Sequence, residues 1–399
     1  MDFSHSTRSV ELQEQLRRFI AEAIDPIRAD LDQHRTQHPT QPDPLMTRLQ
    51  EEARAAGLWN LCIRDPAWGP GLSFVDYAPL AEIMGADRVA QEATNCAAPS
   101  NINADALIPY GSDEQKGRWL EPQLAGRIRS AFAMTEPDAA SSDAANISLS
   151  AVERGDGSWV LSGRKWYISG VLDPLCAYLL VMACTDPEAP SHGRHTVFLV
   201  PLDTPGLRVV RDLPKFGFYD HGGHVELAFD DVVVSSDAIV GQVGGGFAIG
   251  QARLGPARVQ HCMRSIGIAE DALSRLCRRA DARSTFGLRL SERSNIWDWI
   301  ADARIQIEAA RLLTLRTAWL MDTAGDKAAA EQMSILKVHV LDTVFAVVDR
   351  AVQVHGAAGV SDDTPLANWY ANLRSLKIAD GPEEVHRMAI ARRELRRNT

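Results

Sequence analysis

Near its C-terminal end the chain runs Ala379-Asp-Gly-Pro-Glu-Glu-Val-His-Arg387. Asp380 in this stretch is either a carboxylate that does chemistry, as general bases are, or the cap of a last helix. The capping reading is sound on its own terms, because Pro382 suits a first turn and Glu383 completes an Asp-x-x-Glu box. Glu383 and Glu384 compete for the role of base and are expected to face the helix dipole or solvent. Other candidate groups carry ordinary readings as well. Arg258 sits in a helix otherwise apolar on that face and needs a partner if buried, and Arg283 alone reads as a surface charge. The Trp166–Tyr167 pair alone reads as core packing in a strand. The Gly-rich pieces at 244–246 (GGG) and 356–359 (GAAG) match neither GxGxxG nor a phosphate loop, and read as a helix start and a turn. The six cysteines (62, 96, 176, 184, 262, 277) form no CxxC and no paired His spacing, so neither zinc nor a disulfide framework is indicated and a reducing compartment is expected.

These residues need elements to position them. From Val10 to about residue 130 the pattern is helical, with Leu12, Leu16 and Ile20, then Met46, Leu49 and Ala53, at helix spacing. Between about 131 and 240 the period changes, with β-rich runs at Trp159–Ser162, Tyr178–Met182, Thr196–Leu202, Leu207–Val210 and Val225–Val234. The helical period then returns. Val259, Cys262, Met263, Ile266 and Leu273 mark one face, and Ile296, Ile300, Ala303 and Ile307 another. Long helices are expected at about 247–283, 292–323 and 330–355, with a last one from 382 and a kink or break near Gly255 caused by Pro256. Helices, strands, then helices imply an α+β chain with a sheet between two helical parts, which disfavours a dinucleotide-binding βαβ fold.

The 399 residues suffice for a large core shared by two or three subdomains. Net charge of −10 argues against a nucleic-acid partner. No stretch approaches the roughly 20 apolar residues that span a bilayer, and the polar start MDFSHSTRSVELQEQ lacks a secretory signal. A cytoplasmic protein without a membrane partner is expected.

Several blocks carry a more specific signal. AFAMTEPDAASSDAANI (131–147), GRKWYISG (163–170), FGFYDHGGHVELAFDDV (216–232), RSTFG (283–287), QVHGAAGV (353–360) and ADGPEEVHR together resemble the acyl-CoA dehydrogenase family along nearly the whole chain. TEPDAASSDAANI and RLLTLRTAWLMDT look closest to the subgroup whose animal members carry a fused kinase-like domain. The resemblance implies an acyl-CoA dehydrogenase fold: an N-terminal helical domain (1–130), a middle β-barrel-like domain (131–240) and a C-terminal four-helix bundle domain (241–399). It implies an FAD enzyme that removes two hydrogens from an acyl-CoA thioester of long or branched chain, giving the trans-2-enoyl-CoA. Electrons would pass to an electron-transferring flavoprotein, and the assembly would be a homodimer or homotetramer.

The resemblance also distributes roles. Met134, Thr135, Tyr167, Ile168 and Ser169 would surround the flavin ring, with Tyr167 where the family commonly has a tryptophan and Ser169 where it commonly has a threonine donor. Ser142 and Arg258 would lie near the CoA pantetheine and the active-site floor, Ser142 also near the cofactor, and Gly381 would contact substrate. Arg283, Thr285 and Phe286 would reach a neighbouring subunit's FAD, with Gln353 and Ala357 meeting that half of the cofactor from the other side. The family places its base at one of two positions; one is Ala257 here, which leaves Asp380, whose backbone N–H would also serve the thioester oxyanion. Asp is shorter than the commoner Glu by about 1.5 Å. Two other readings accompany this one: a flavin oxidase of the same fold that acts on small nitro compounds with an Asp base, and a non-dehydrogenase binding member of the DNA-associated type.

Overall fold

The computed structural model describes residues 4–399. Its first helices are α1 (Thr7–Phe19), α2 (Arg28–Gln37), α3 (Pro44–Ala55), α4 (Phe74–Ile83), α5 (Arg88–Ala93), α6 (Ser100–Tyr110), α7 (Asp113–Gln115) and α8 (Glu121–Leu124). Helix α3 starts where local chemistry dictates. The Asp43 carboxylate accepts from the Leu45 amide at 2.9 Å, Pro44 fills the first turn, and Met46, Leu49 and Ala53 form the buried face their spacing predicts.

Eight strands follow: β1 (Arg129–Ala133), β2 (Ser150–Glu153), β3 (Ser158–Ser169), β4 (Cys176–Cys184), β5 (His195–Pro201), β6 (Leu207–Asp212), β7 (His224–Ser235) and β8 (Ile239–Val240). They form one sheet in the order β6-β7-β3-β2-β4-β5-β8, with β1 parallel to β4. All five expected runs are strands. The short β1, β2 and β8 carry no such signal, since two to five residues flanked by turns show little periodicity. Alternate residues of β3, β4, β5 and β7, among them Leu161, Leu179, Phe198, Val200, Leu227 and Phe229, fill one core.

The remaining elements are α9 (Gly246–Ala282), a hairpin of β9 (Ser284–Thr285) and β10 (Leu288–Arg289), and the helices α10 (Ser294–Ala324), α11 (Asp326–His355), α12 (Leu366–Leu376) and α13 (Glu383–Arg397). Helix α9 is not broken at Pro256; it is one 37-residue helix with the proline inside, in a stretch where Leu254, Ala257 and Val259 are all buried, so packing outweighs the one hydrogen bond that proline removes. Asp380 does not cap the last helix. The first turn of α13 is closed by Pro382, whose carbonyl accepts from Val385 at 3.0 Å, so the Asp-x-x-Glu box is not formed. Helix α12 had gone unread in the sequence.

The chain divides into two compact units. One comprises residues 19–71 and 92–256, the other residues up to 18, 72–91 and 257–399. Within the second unit α4 and α9 touch through glycines: a Cβ on Gly267 would lie 1.9 Å from the Glu82 carbonyl oxygen, and one on Gly85 2.1 Å from that of Arg264. Arg311 joins the same elements by pairing with Glu82 at 2.8 Å and with Glu270 at 2.5 Å. Among the described residues no helix is long and apolar enough to cross a membrane.

Candidate active site

In the unit that contains the sheet, the candidate residues gather where β1 ends and β3 bulges. Lys165 pairs with Leu227 of β7 and Ile168 with Val225, so Trp166 and Tyr167 together oppose the single residue Glu226. Tyr167 takes φ 50°, a conformation in which glycine is comfortable and tyrosine is not. The bulge turns its ring outward, 44% exposed, with Trp166 edge-on at 5.2 Å, while Ile168 returns to the core at 2%. The Trp166 amide donates to the Thr135 carbonyl at 2.9 Å, which brings exposed Thr135 and half-buried Met134 beside the bulge.

Behind this surface lies a buried ion pair that sequence reasoning missed. Lys165 Nζ donates to Glu136 Oε1 at 2.8 Å and to the Met134 carbonyl at 2.9 Å. Glu136 also accepts from the amides of Ser148 (2.8 Å) and Leu149 (2.7 Å) and from the Ser148 hydroxyl. Burial pushes Glu136 up, but Lys165 and these donors outweigh it and hold the carboxyl below its ordinary value. Burial brings Lys165 down to about 8 despite its partner. The signal was present in the sequence: Lys165 falls on an inward position of a strand otherwise apolar at Leu161 and Ile168.

Ser169 ends β3 and its hydroxyl lies 2.8 Å from His224 Nδ1; His224 Nε2 lies 2.9 Å from Asp220, which also pairs with Lys215. A carboxylate only accepts, so His224 Nε2 donates to Asp220, which orients the ring and presents Nδ1 to the Ser169 hydroxyl. Ser142 stands in the loop after Glu136 and is exposed; its neighbour Ser141 is the one engaged, accepting from the Glu136 amide at 3.0 Å.

In the other unit, Asp380 occupies the connection between α12 and α13. It has φ 55° and is followed by Gly381 at φ 95°. Three basic side chains surround this turn. Arg258 Nε donates to the Asp380 carbonyl at 2.9 Å, His261 Nε2 lies 3.4 Å from the Asp380 carboxylate, and Lys337 donates to the carbonyls of Ala379 and Gly381. Arg258 thus has the partner its place in an apolar helix required. Burial lowers its pKa, and the Asp380 charge opposes this. Burial, followed by the charges of Lys337 and Arg258, holds His386 down to about 4. A Cβ on Gly381 would meet His386 Nε2 at 3.2 Å. Glu383 is bound to Lys377 at 3.1 Å, and Glu384 is exposed. His261 and Lys337 were not read from the sequence, although a lysine within the apolar run Ile335–Val340 was a signal of the same kind as Lys165.

Arg283 precedes the β9–β10 hairpin. Phe286 and Gly287 both take positive φ (50° and 79°), as a two-residue hairpin turn of this hand requires. Phe286 stands at its tip, 98% exposed. Thr285 is fixed by Arg293, which donates to its carbonyl at 2.5 Å. Gln353 and Ala357 are exposed where α11 ends, in a turn whose Gly359 has no room for a side chain: a Cβ there would lie 2.4 Å from the Val352 carbonyl.

Family models match the chain almost end to end: the acyl-CoA dehydrogenase N-terminal domain at residues 6–127, the middle domain at 131–232 and the C-terminal domain at 244–395. The chain belongs to the acyl-CoA dehydrogenase family. Among its relatives, FadE2 of Mycobacterium tuberculosis is 44% identical over 403 residues, covering 100% of this chain and 98% of the relative. Acyl-CoA dehydrogenase family member 10 of Mus musculus is 47% identical over 393 residues; the match covers 97% of this chain and 37% of the mouse protein. The chain likewise spans 51% of family member 11 of Gallus gallus. A solved Mycobacterium abscessus protein assigned to the acyl-CoA dehydrogenases superposes with a TM-score of 0.95 at 46% identity, over 99% of this chain and 100% of that one. Butyryl-CoA dehydrogenase of Megasphaera elsdenii does so with 0.83 at 26%, over 99% and 100%.

The acyl-CoA dehydrogenases are FAD oxidoreductases, and this chain is a flavoenzyme of that kind. The residues present fit a flavin. Holding tyrosine at φ 50° on a bulge is costly, and an exposed aromatic ring with Trp166 edge-on beside it suits a flat ring system.

Proposed function

We propose that this chain is an acyl-CoA dehydrogenase that forms the α,β double bond of a fatty or branched acyl-CoA, with Asp380 as the base. The observation that carries the reading is the state of Asp380. Of the two positions where the family places its base, the helical one holds a buried alanine, Ala257, and the other holds a carboxylate on a left-handed turn braced by Arg258 and Lys337. FAD, held by the residues around Tyr167, would supply the acceptor for the hydride equivalent lost from the β-carbon. Asp380 accepts the α-proton, and its own backbone N–H donates to the thioester oxygen, where negative charge develops. Arg258 and Gly381 line the substrate side of that turn, and Ser142 contacts the pantetheine. Met134, Thr135, Tyr167, Ile168 and Ser169 hold the flavin ring.

Arg283, Thr285 and Phe286 reach the FAD of a second copy, with Gln353 and Ala357 contributing to the same half of the cofactor. The protruding Phe286 supports that role and a homodimer or homotetramer. The product is the trans-2-enoyl-CoA, the electrons pass to an electron-transferring flavoprotein, and the six free thiols suit the cytoplasm. The reading divides the chain into domains at 1–130, 131–240 and 241–399, and the order of the three family segments supports it.

The test is anaerobic titration of the yellow protein with acyl-CoAs from short to long and branched. One of them should bleach the flavin band, and Asp380→Asn should keep the colour and slow bleaching about 10²–10⁴-fold. An active Asp380→Asn variant would overturn the assignment. Bleaching by nitroalkanes and not by thioesters would replace it with the oxidase reading.

A further inference from the structure

We propose that Lys337 is a positioning residue for Asp380, which clamps the carbonyls on both sides of it and so sets the direction of the Asp380 N–H and carboxylate. The proposal rests on the reading of Asp380 as base.

Lys337 lies in the middle of α11, 2% exposed, among Leu336, Val338, Val340 and Leu341. Its ammonium reaches the carbonyl oxygens of Ala379 and Gly381, while Arg258 from α9 takes the Asp380 carbonyl between them. Three successive carbonyls are therefore held by cations on two helices. Charge-assisted bonds of this kind are about twice as strong as neutral ones. They offset the left-handed backbone of Asp380, a conformation less favourable for a residue with a side chain than for glycine.

The peptide bond is planar and trans, so the Asp380 N–H points opposite to the Ala379 carbonyl. Fixing that carbonyl on Lys337 fixes the N–H in the other direction, and the Gly381 carbonyl fixes the far side of the same turn. The carboxylate then leaves the backbone toward His261. A lysine buried merely to fill space among leucines and valines would carry a heavy desolvation cost without return, and burial does bring Lys337 down to about 8. The clamp supplies the return, because a donor set in place before the reaction needs no reorganisation during it.

The experiment compares Lys337→Met, Lys337→Gln and Lys337→Arg with the wild type as FAD-loaded proteins. It reads the flavin bleaching rate at saturating acyl-CoA, the half-saturating acyl-CoA concentration, and amide hydrogen exchange over residues 379–385. The clamp predicts faster exchange in that segment for Lys337→Met and a bleaching rate about 10²-fold lower, the scale of a misplaced catalytic group. The half-saturating concentration should change far less, Lys337→Gln should fall between, and Lys337→Arg should recover part of the rate. Should Lys337→Met not fold, Lys337→Gln against Lys337→Arg decides by the same readouts. Unchanged exchange and rate overturn the clamp and leave Asp380 as base. A wild type that no thioester bleaches overturns the proposed function instead, and exchange alone then judges the clamp.

Discussion

Lys165 and Lys337 are both fully buried lysines, both brought by burial to about 8, and both stand directly behind a segment that carries candidate chemistry. They differ in what answers their charge. Lys165 meets the Glu136 carboxylate at 2.8 Å inside a set of amide donors, so the sheet unit holds a neutralised pin between the end of β1 and the middle of β3. Lys337 meets carbonyl oxygens, and the charges felt there belong to Asp380, Arg258 and Glu383. A buried cation satisfied by a carboxylate is a structural device. One satisfied by the carbonyls of a single turn controls the shape of that turn.

The largest effect should come from breaking the pin. Lys165→Met leaves Glu136 buried and uncompensated, and urea unfolding should show a loss of about 3–5 kcal/mol. Lys337→Met leaves carbonyls unanswered but no opposite charge in contact, so its loss should be nearer 1–3 kcal/mol. Equal losses would erase the distinction. The comparison sharpens with Glu136→Leu combined with Lys165→Met, which removes both charges and should return most of the lost stability, since apolar replacement of a whole buried pair is often neutral or better.

A third test is pH dependence. Each lysine has a folded pKa near 8, below its ordinary 10.5. Between those values the unfolded chain binds more protons, so stability contributed by each group rises with pH from about 8 toward 10.5 and is level below 8. Denaturation followed across that range should show the rise in the wild type and a smaller one in either Lys→Met variant.

The legible parts of the sequence were those with period or motif. Leu49 and Ala53 on α3, Val259 to Ile266 on α9 and the alternation along β7 announced their elements, and Asp380 and Tyr167 stood inside recognisable blocks. Helix α12, the strands β1 and β8 and the unbroken passage of α9 through Pro256 were not legible, because short or interrupted patterns take their structure from packing. The capping box at Asp380 shows the reverse case. Its residues were right for a cap, yet the helix begins after Pro382 because the cations of α9 and α11 bind the preceding carbonyls.

Residue type and spacing determined the order of layers, and the motif blocks carried the resemblance to the family and with it Asp380 as the carboxylate left where that family places a base, since these depend on local period and on the identity of single residues. Tertiary structure decided which charges meet: Lys165 with Glu136, Ser169 with His224 and Asp220, and Lys337 with the turn at Asp380. Those contacts join residues 29, 55 and some 40 positions apart, and no local pattern records a partner that only the packing of distant elements brings within hydrogen-bond reach.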